Sequence, residues 1–306
     1  MAGEGPEKPR ATRAGFVALI GASNVGKSTL VNQLTGTKVS IVTHKVQTTR
    51  STMRGIAIEG ESQIIFVDTP GIFAPRRRLD RAMVQTAWTG AADADLIALV
   101  VDAKRGLDDD TDAILARLAE RKQTVLLIIN KIDLVKRDAL LALAAALNAR
   151  VPFERTFMVS AETGDGVADL RTYLAQAVPP GPWLYPEDQV SDAPLRALAA
   201  EITREKLFVR VHDELPYALT VETTDWKTLK SGDARIEQTI FVERESQRKI
   251  VLGKGGRVIK AIGMDARREL ETIVETRVHL FLFVKVREKW GDDPERYREM
   301  GLDYTD

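Results

Sequence analysis

The sequence predicts a doubly wound α/β domain with a mostly parallel sheet, followed by a smaller α+β domain. Three observations lead there. From Phe16 to about Val178, short apolar runs alternate with helical stretches. Residues 178–188, VPPGPWLYPED, carry four Pro in eleven positions and read as a linker. Beyond it the order becomes helix, two strands, short helix, longer helix, strand.

The apolar runs of the first part are FVALIG (16–21), QIIFVD (63–68), DLIALVVD (95–102), TVLLIIN (124–130) and RTFMVS (155–160). Each is a continuous block, the pattern of a strand covered on both faces of a parallel sheet. Periodic segments such as 111–122 and 138–150 supply the crossover helices. After the linker, 194–208 reads as a helix, 217–227 and 234–244 as strands, 248–274 as two helices around a Gly loop, and 278–286 as a final strand. The expected division is a tail over 1–13, a first domain over 14–178, a linker over 179–193, a second domain over 194–290 and a tail over 291–306.

Composition removes whole classes of chemistry. The 306 residues are long enough for about two domains. There is no Cys, so disulfides, thiolate metal sites and a Cys nucleophile are excluded, and a reducing, cytoplasmic setting is expected. Three scattered His argue against a His-rich metal site or a Ser-His-Asp triad. The N-terminus lacks the apolar core of a secretory signal, and no run approaches the length of a membrane span.

The first run ends on Gly21-Ala22-Ser23-Asn24-Val25-Gly26-Lys27-Ser28-Thr29, which contains G-x-x-x-x-G-K-[ST] between a strand and a helix. Its glycines let successive N–H groups turn toward phosphate oxygens, and the helix N-terminus adds positive potential. Lys27 is expected on the β- and γ-phosphates and Ser28 on Mg²⁺. Asp68-Thr69-Pro70-Gly71 closes the next run, with Asp68 placed to hold Mg²⁺ through water and Gly71 to approach the γ-phosphate. Asn130-Lys131-Ile132-Asp133 closes another. One carboxylate can accept two N–H groups from the guanine edge, which adenine lacks, so Asp133 selects guanine while Asn130 braces the site and Lys131 lies along the ring. In Ser160-Ala161-Glu162, the Ala161 N–H is expected at the guanine O6. In the polar, basic stretch 35–55, a Thr of Gln47-Thr48-Thr49-Arg50 is expected on Mg²⁺ when a γ-phosphate is present: Thr49, with Thr48 as the alternative. Lys27, Thr49 and Gly71 are the catalytic candidates. Ile72 stands where many GTPases place a water-orienting Gln, so intrinsic hydrolysis is expected to be slow. The ligands implied are GTP or GDP with Mg²⁺. The Arg76-Arg77-Arg78 run reads equally as a solvated face or a partner contact.

The second domain has its own Gly-rich loop, Gly253-Lys254-Gly255-Gly256, between helical segments. Residues 244–268 hold eight Lys or Arg against two acids. A G-x-x-G loop there is the KH arrangement, which clamps about four nucleotides of single-stranded RNA. Arg248, Lys249, Ile250, Gly253, Lys254, Gly255, Gly256, Arg257 and Lys260 are the candidate contacts, and Ile250, Val251, Ile259 and Ile262 line the groove or serve the core. Trp290 and Tyr297 read as packing residues. Charge is otherwise balanced, with 23 basic and 20 acidic residues over 1–180 and 21 and 24 over 181–306. That points to a localised RNA site rather than a basic coat, with no DNA partner.

Taken together, GASNVGKST, VQTTR, DTPGI, NKID, SAE, the PEDQVSD linker exit and IVLGKGGRVIKAIG resemble the Era family of ribosome-assembly GTPases, over about residues 14 to 290. The resemblance implies a P-loop GTPase domain followed by a type II KH domain. It implies a protein that binds the 3′ end of small-subunit ribosomal RNA, assists assembly of the small ribosomal subunit and hydrolyses GTP to leave; separately, a monomer is expected. It also implies weak peripheral association with the inner membrane. Ile72 is similar to the hydrophobic residue of the family at that position. His44-Lys45-Val46 departs from the more basic or Pro-containing stretch expected before QTTR.

Overall fold

The computed structural model describes residues 12–43, 45, 48–50, 52–120, 123–211, 215–288, 290, 293, 294, 297 and 300–304. The tail over 1–11 and His44, Val46 and Gln47 of the 35–55 stretch lie outside the described residues.

Six strands form the first sheet: β1 (Arg13–Ile20), β2 (Met53–Glu59), β3 (Ser62–Asp68), β4 (Leu96–Asp102), β5 (Val125–Asn130) and β6 (Thr156–Met158), in the order β2-β3-β1-β4-β5-β6. All neighbours are parallel except β2 and β3. The apolar runs are buried through their length in β3 and β5, as strands covered on both faces require. Helices α1 (Lys27–Thr35), α2 (Arg78–Ala92), α3 (Asp109–Ala119) and α4 (Arg137–Asn148) fall between strands, and α5 (Val167–Ala177) follows β6. Asp108 starts α3 by accepting from Thr111 N at 2.8 Å.

One strand escaped the sequence pattern. β2 is a sheet-edge strand that mixes buried with exposed positions, so it makes no continuous apolar block. Register does the positioning that matters for function. Leu19 of β1 pairs with Asp68 of β3, and Asp102 of β4 with Asn130 of β5. The carboxyl ends of these strands therefore deliver their loops to one edge of the sheet, where open α/β sheets bind ligands.

Residues 179–192 run against this unit. Gln63 Oε1 accepts from Leu184 N and Tyr185 N at 2.8 and 3.0 Å, and Ile56 N donates to Val190 O at 2.9 Å.

The second unit contains α6 (Leu195–Arg210), β7 (Leu219–Thr228), β8 (Ala234–Val242), α7 (Glu245–Leu252), α8 (Arg257–Val274) and β9 (Val278–Val286). β8 is central, antiparallel to β7 and parallel to β9. α8 buries Ile262, Ala266 and Leu270, spaced by four, as one apolar stripe. The main core joins Leu207, Phe208, Leu219, Ile240, Val251 and Ile262.

Residues 39–52 and 70–87 group with this second unit, although the sequence reading assigns them to the first domain. There Leu79, Ala82 and Met83 share a satellite core with Trp290, Tyr297 and Leu302. Trp290 and Tyr297 are 2 % and 0 % exposed and act as packing residues.

Candidate functional site

The phosphate loop connects β1 to α1 and needs backbone shapes that side chains resist. Gly26 has φ 96, and a Cβ there would lie 2.3 Å from Asn130 Nδ2. Gly21 has φ 151, and its Cβ would meet Val100 O at 2.3 Å. Asn24 is left-handed at φ 64, a shape Asn tolerates better than most residues. The loop is thus closed down on the ends of β4 and β5.

Lys27 folds back inside it, 6 % exposed, and its Nζ donates to Gly21 O and Ala22 O at 3.0 Å each. Burial pushes its pKa down from the ordinary 10.5 to about 8, with Asp68 partly opposing the shift. A desolvated ammonium ringed by carbonyls gains strongly from an anion. Ser28 Oγ donates to Asp68 Oδ2 at 2.7 Å. A hydroxyl beside a carboxylate at a loop built for phosphates is a donor set suited to Mg²⁺. Thr69 turns away, donating to Leu19 O at 2.7 Å, and so fixes the end of β3.

The base side is cross-braced. Asn130 Nδ2 donates to Val25 O at 2.9 Å, and its Oδ1 accepts from Ala161 N at 2.9 Å. One side chain ties the phosphate loop to the 160–162 turn. The Ala161 N–H expected at guanine O6 is here engaged by Asn130. Lys131 is left-handed at φ 63 and donates to Asn24 O at 2.7 Å and Asp102 Oδ2 at 2.6 Å. These bonds anchor its ammonium to the phosphate loop and to the end of β4. Asp133 is exposed and does not cap α4, whose N-cap position is Lys136. Its carboxylate is available to a ligand. Ser160 organises its turn by accepting from Thr163 N at 3.2 Å, and Glu162 is exposed.

Two residues here went unread in the sequence. Asp102 holds Lys131, and Arg105 NH1 donates to Ser23 O at 2.7 Å. Asp102 ends a strand at the binding edge, and that placement is the signal that could have found it.

Thr49, Pro70, Gly71 and Ile72 lie in segments grouped with the second unit, with Thr49 and Ile72 buried. Thr48, the alternative to Thr49, commits its hydroxyl to Lys45 O and Thr43 Oγ1 at 2.7 Å each. In the triple-Arg run, Arg76 N and Arg77 N donate to Asp80 Oδ2 at 2.9 Å each, while the Arg78 guanidinium lies 4.8 Å from the Tyr304 ring centroid.

The GKGG loop joins α7 to α8. Gly253 and Gly255 have φ 70 and φ 63. A Cβ on Gly253 would strike Val258 Cγ2 at 2.4 Å, so that glycine serves packing. A Cβ on Gly255 would meet nothing within 4 Å, leaving its backbone open to close approach. Lys254, Lys249 and Lys260 are exposed. Arg257 Nε donates to Lys254 O at 3.2 Å, and Arg248 pairs with Glu245 at 2.9 Å. The four apolar candidates separate: Val251 and Ile262 are core, Ile259 is half-buried, and Ile250 is 54 % exposed beside the loop.

The fold and these sites define a P-loop guanine-nucleotide domain joined to a KH domain. The model of a family described as 50S ribosome-binding GTPase matches residues 16–131, and that of the KH domain matches 214–291. The chain is 66% identical to GTPase Era of Bradyrhizobium diazoefficiens over 97% of both chains. It is 66% identical to GTPase Era of Rhizobium meliloti over 96% of this chain and 94% of that one. Among solved structures, an Aquifex aeolicus Era variant bound to GDP·AlF4⁻ covers 96% of this chain and 100% of its own, with TM-score 0.90 and 37% identity. Era in complex with MgGDPNP and nucleotides 1506–1542 of 16S ribosomal RNA matches with the same score and identity, over 96% of this chain and 99% of its own. The chain belongs to the Era family of GTPases. Among the described residues no helix is long and apolar enough to cross a membrane.

Proposed function

We propose that this chain is a GTP-hydrolysing switch that binds the 3′ end region of small-subunit ribosomal RNA through its KH domain and assists assembly and maturation of the 30S subunit. The observation that carries the reading is the pairing, in one chain, of a closed phosphate loop with an open GKGG loop. The relative solved with MgGDPNP and a 16S ribosomal RNA fragment supports it. In this reading Gly21–Thr29 cradle the phosphates, and Ser28, Asp68 and Thr49 hold Mg²⁺, which supplies charge neutralisation at the β- and γ-phosphates. Thr69, Pro70, Gly71 and Ile72 border the γ-phosphate. Asn130, Lys131, Asp133 and Ser160–Glu162 form the base site, with the Ala161 N–H passing from Asn130 to the guanine O6 when the base enters. Ile72 has no polar group to orient water, so intrinsic turnover is slow.

The test is a titration of the full chain, with MgGDPNP, against RNA of the 16S 1506–1542 sequence and a scrambled RNA of equal length. Saturable binding that favours the natural sequence is expected. Equal affinity for both would overturn the assigned target.

A further inference from the structure

Arg50 follows Thr49 directly, so whatever fixes its guanidinium restrains the backbone that carries the Thr49 hydroxyl. The guanidinium is buried, 2 % exposed, within the second unit. Arg50 NH1 donates to Leu219 O, at the first residue of β7, at 2.7 Å. The Phe208 and Trp290 ring centroids lie 5.9 and 5.7 Å from its Cζ. Phe208 is shared: the Arg204 guanidinium lies 5.0 Å from the same ring, and Arg204 donates to Thr48 O. Beside it on α6, Glu205 Oε1 accepts from Val42 N at 2.9 Å. Val42, Thr48 and Arg50 are therefore held by α6 and by the start of β7.

Such an arrangement is an expensive way to pack a loop. The guanidinium is taken out of water and lies near the like charge of Arg204, both of which cost free energy. An aliphatic side chain would fill the space without that penalty. What a planar guanidinium adds is direction: it lies within reach of two aromatic rings and donates to the Leu219 carbonyl, which fixes register.

We propose that Arg50 is the positioning residue through which the unit bearing the GKGG loop sets the conformation of Thr49, and with it the step of nucleotide binding that depends on Mg²⁺ and the γ-phosphate. This rests on the reading of Thr49 as a Mg²⁺ ligand. GDP does not recruit the loop that carries Thr49, so a positioning role is invisible with GDP and visible with a GTP analogue. A purely packing role would weaken both alike.

The experiment measures binding of fluorescent GDPNP and GDP across a Mg²⁺ titration, with and without the 16S 3′-end RNA. It uses the full chain as wild type, Thr49→Ala, Arg50→Ala and Arg50→Lys, with melting curves for each. Arg50→Ala is expected to raise the Mg²⁺ needed for GDPNP on the order of tenfold, within the usual range of site coupling. GDP binding stays at the wild-type value, RNA no longer shifts GDPNP affinity, and Arg50→Lys falls between. If Arg50→Ala does not fold, Arg50→Lys is judged by the same criteria. A Thr49→Ala protein with wild-type Mg²⁺ dependence removes the Thr49 reading and this inference with it. If Thr49→Ala shows the effect and neither Arg50 variant does, the inference alone is overturned. Equal weakening of GDP and GDPNP by Arg50→Ala also overturns it, in favour of a packing role.

Discussion

The phosphate loop and the GKGG loop use one device in opposite ways. Both are glycine-rich turns that feed a helix N-terminus, at Lys27 and at Arg257, and so present backbone N–H groups and a positive dipole end to phosphates. In the phosphate loop the space beside the glycines is filled, by Val100 O at 2.3 Å and Asn130 Nδ2 at 2.3 Å from where a Cβ would sit. Its lysine is buried and bonded to loop carbonyls. In the second loop Gly255 faces open space and Lys254 is exposed. A compact ligand that must be chosen by its base rewards enclosure, because every buried polar group left unmatched costs about 1 to 3 kcal/mol. A polymer that threads past needs an open backbone, and its affinity comes from phosphate charge and stacked bases.

The contrast can be broken most severely at the closed loop. Lys27→Ala removes the buried positive charge from the phosphate cradle, and nucleotide affinity should fall by roughly 100-fold or more, the range for losing one partner of a buried charge pair. Equilibrium titration with labelled GDP and GTP checks this, and RNA affinity without nucleotide serves as the control that stays put. Asp133→Asn should come next. It replaces one acceptor with a donor, so guanine is refused and xanthine nucleotides are accepted, with guanine affinity down on the order of 100-fold. Competition between GTP and XTP reads the inversion, and unchanged guanine preference would remove Asp133 from the base site.

A gentler probe uses pH. Free Lys27 loses its proton near pH 8, below the ordinary 10.5, because burial disfavours the charge. Bound phosphate stabilises the charged form and raises that pKa. Nucleotide affinity should hence be flat below about pH 8 and decline as pH rises beyond it, by up to tenfold per unit. For the nucleotide-free fold the sign is the reverse. The unfolded chain binds more protons between pH 8 and 10.5, so this group's penalty is relieved as pH rises through that window. Calorimetry from about pH 7 to about pH 10 follows both trends, and an affinity independent of pH would contradict the buried-lysine assignment.

The closed loop was the more legible of the two in sequence, and the reason is physical. Its residues are dictated by sterics at fixed spacing, so the strand, the glycines, Lys27 and Ser28 announce themselves locally. The parallel strands were equally plain, since covering both faces leaves unbroken apolar runs. β2 was not, because Arg54, Gly55 and Glu59 interrupt its apolar residues and an antiparallel edge strand carries a weaker pattern. Asp102 and Arg105 were missed because their partners, Lys131 and Ser23, are distant in sequence and meet only through the β4–β5 register and the fold of the loop. The association of residues 39–52 and 70–87 with the second unit was also out of reach, for no local pattern encodes which core Leu79 or Arg50 will enter. In the GKGG segment the sequence named the apolar candidates but could not sort them. Burial alone separates Val251 and Ile262, in the core, from Ile250 on the surface.

The central claim is that one chain carries two separable sites, a closed one for guanine nucleotide and an open one for RNA. It is tested most directly by changing Lys254 and Gly255 together to Asp in the full chain. RNA affinity and RNA-free GTP hydrolysis are then measured on the same preparation. The account predicts that RNA binding is lost while hydrolysis and nucleotide affinity persist. Normal RNA affinity, or loss of both activities in a protein that still melts as wild type, would contradict it.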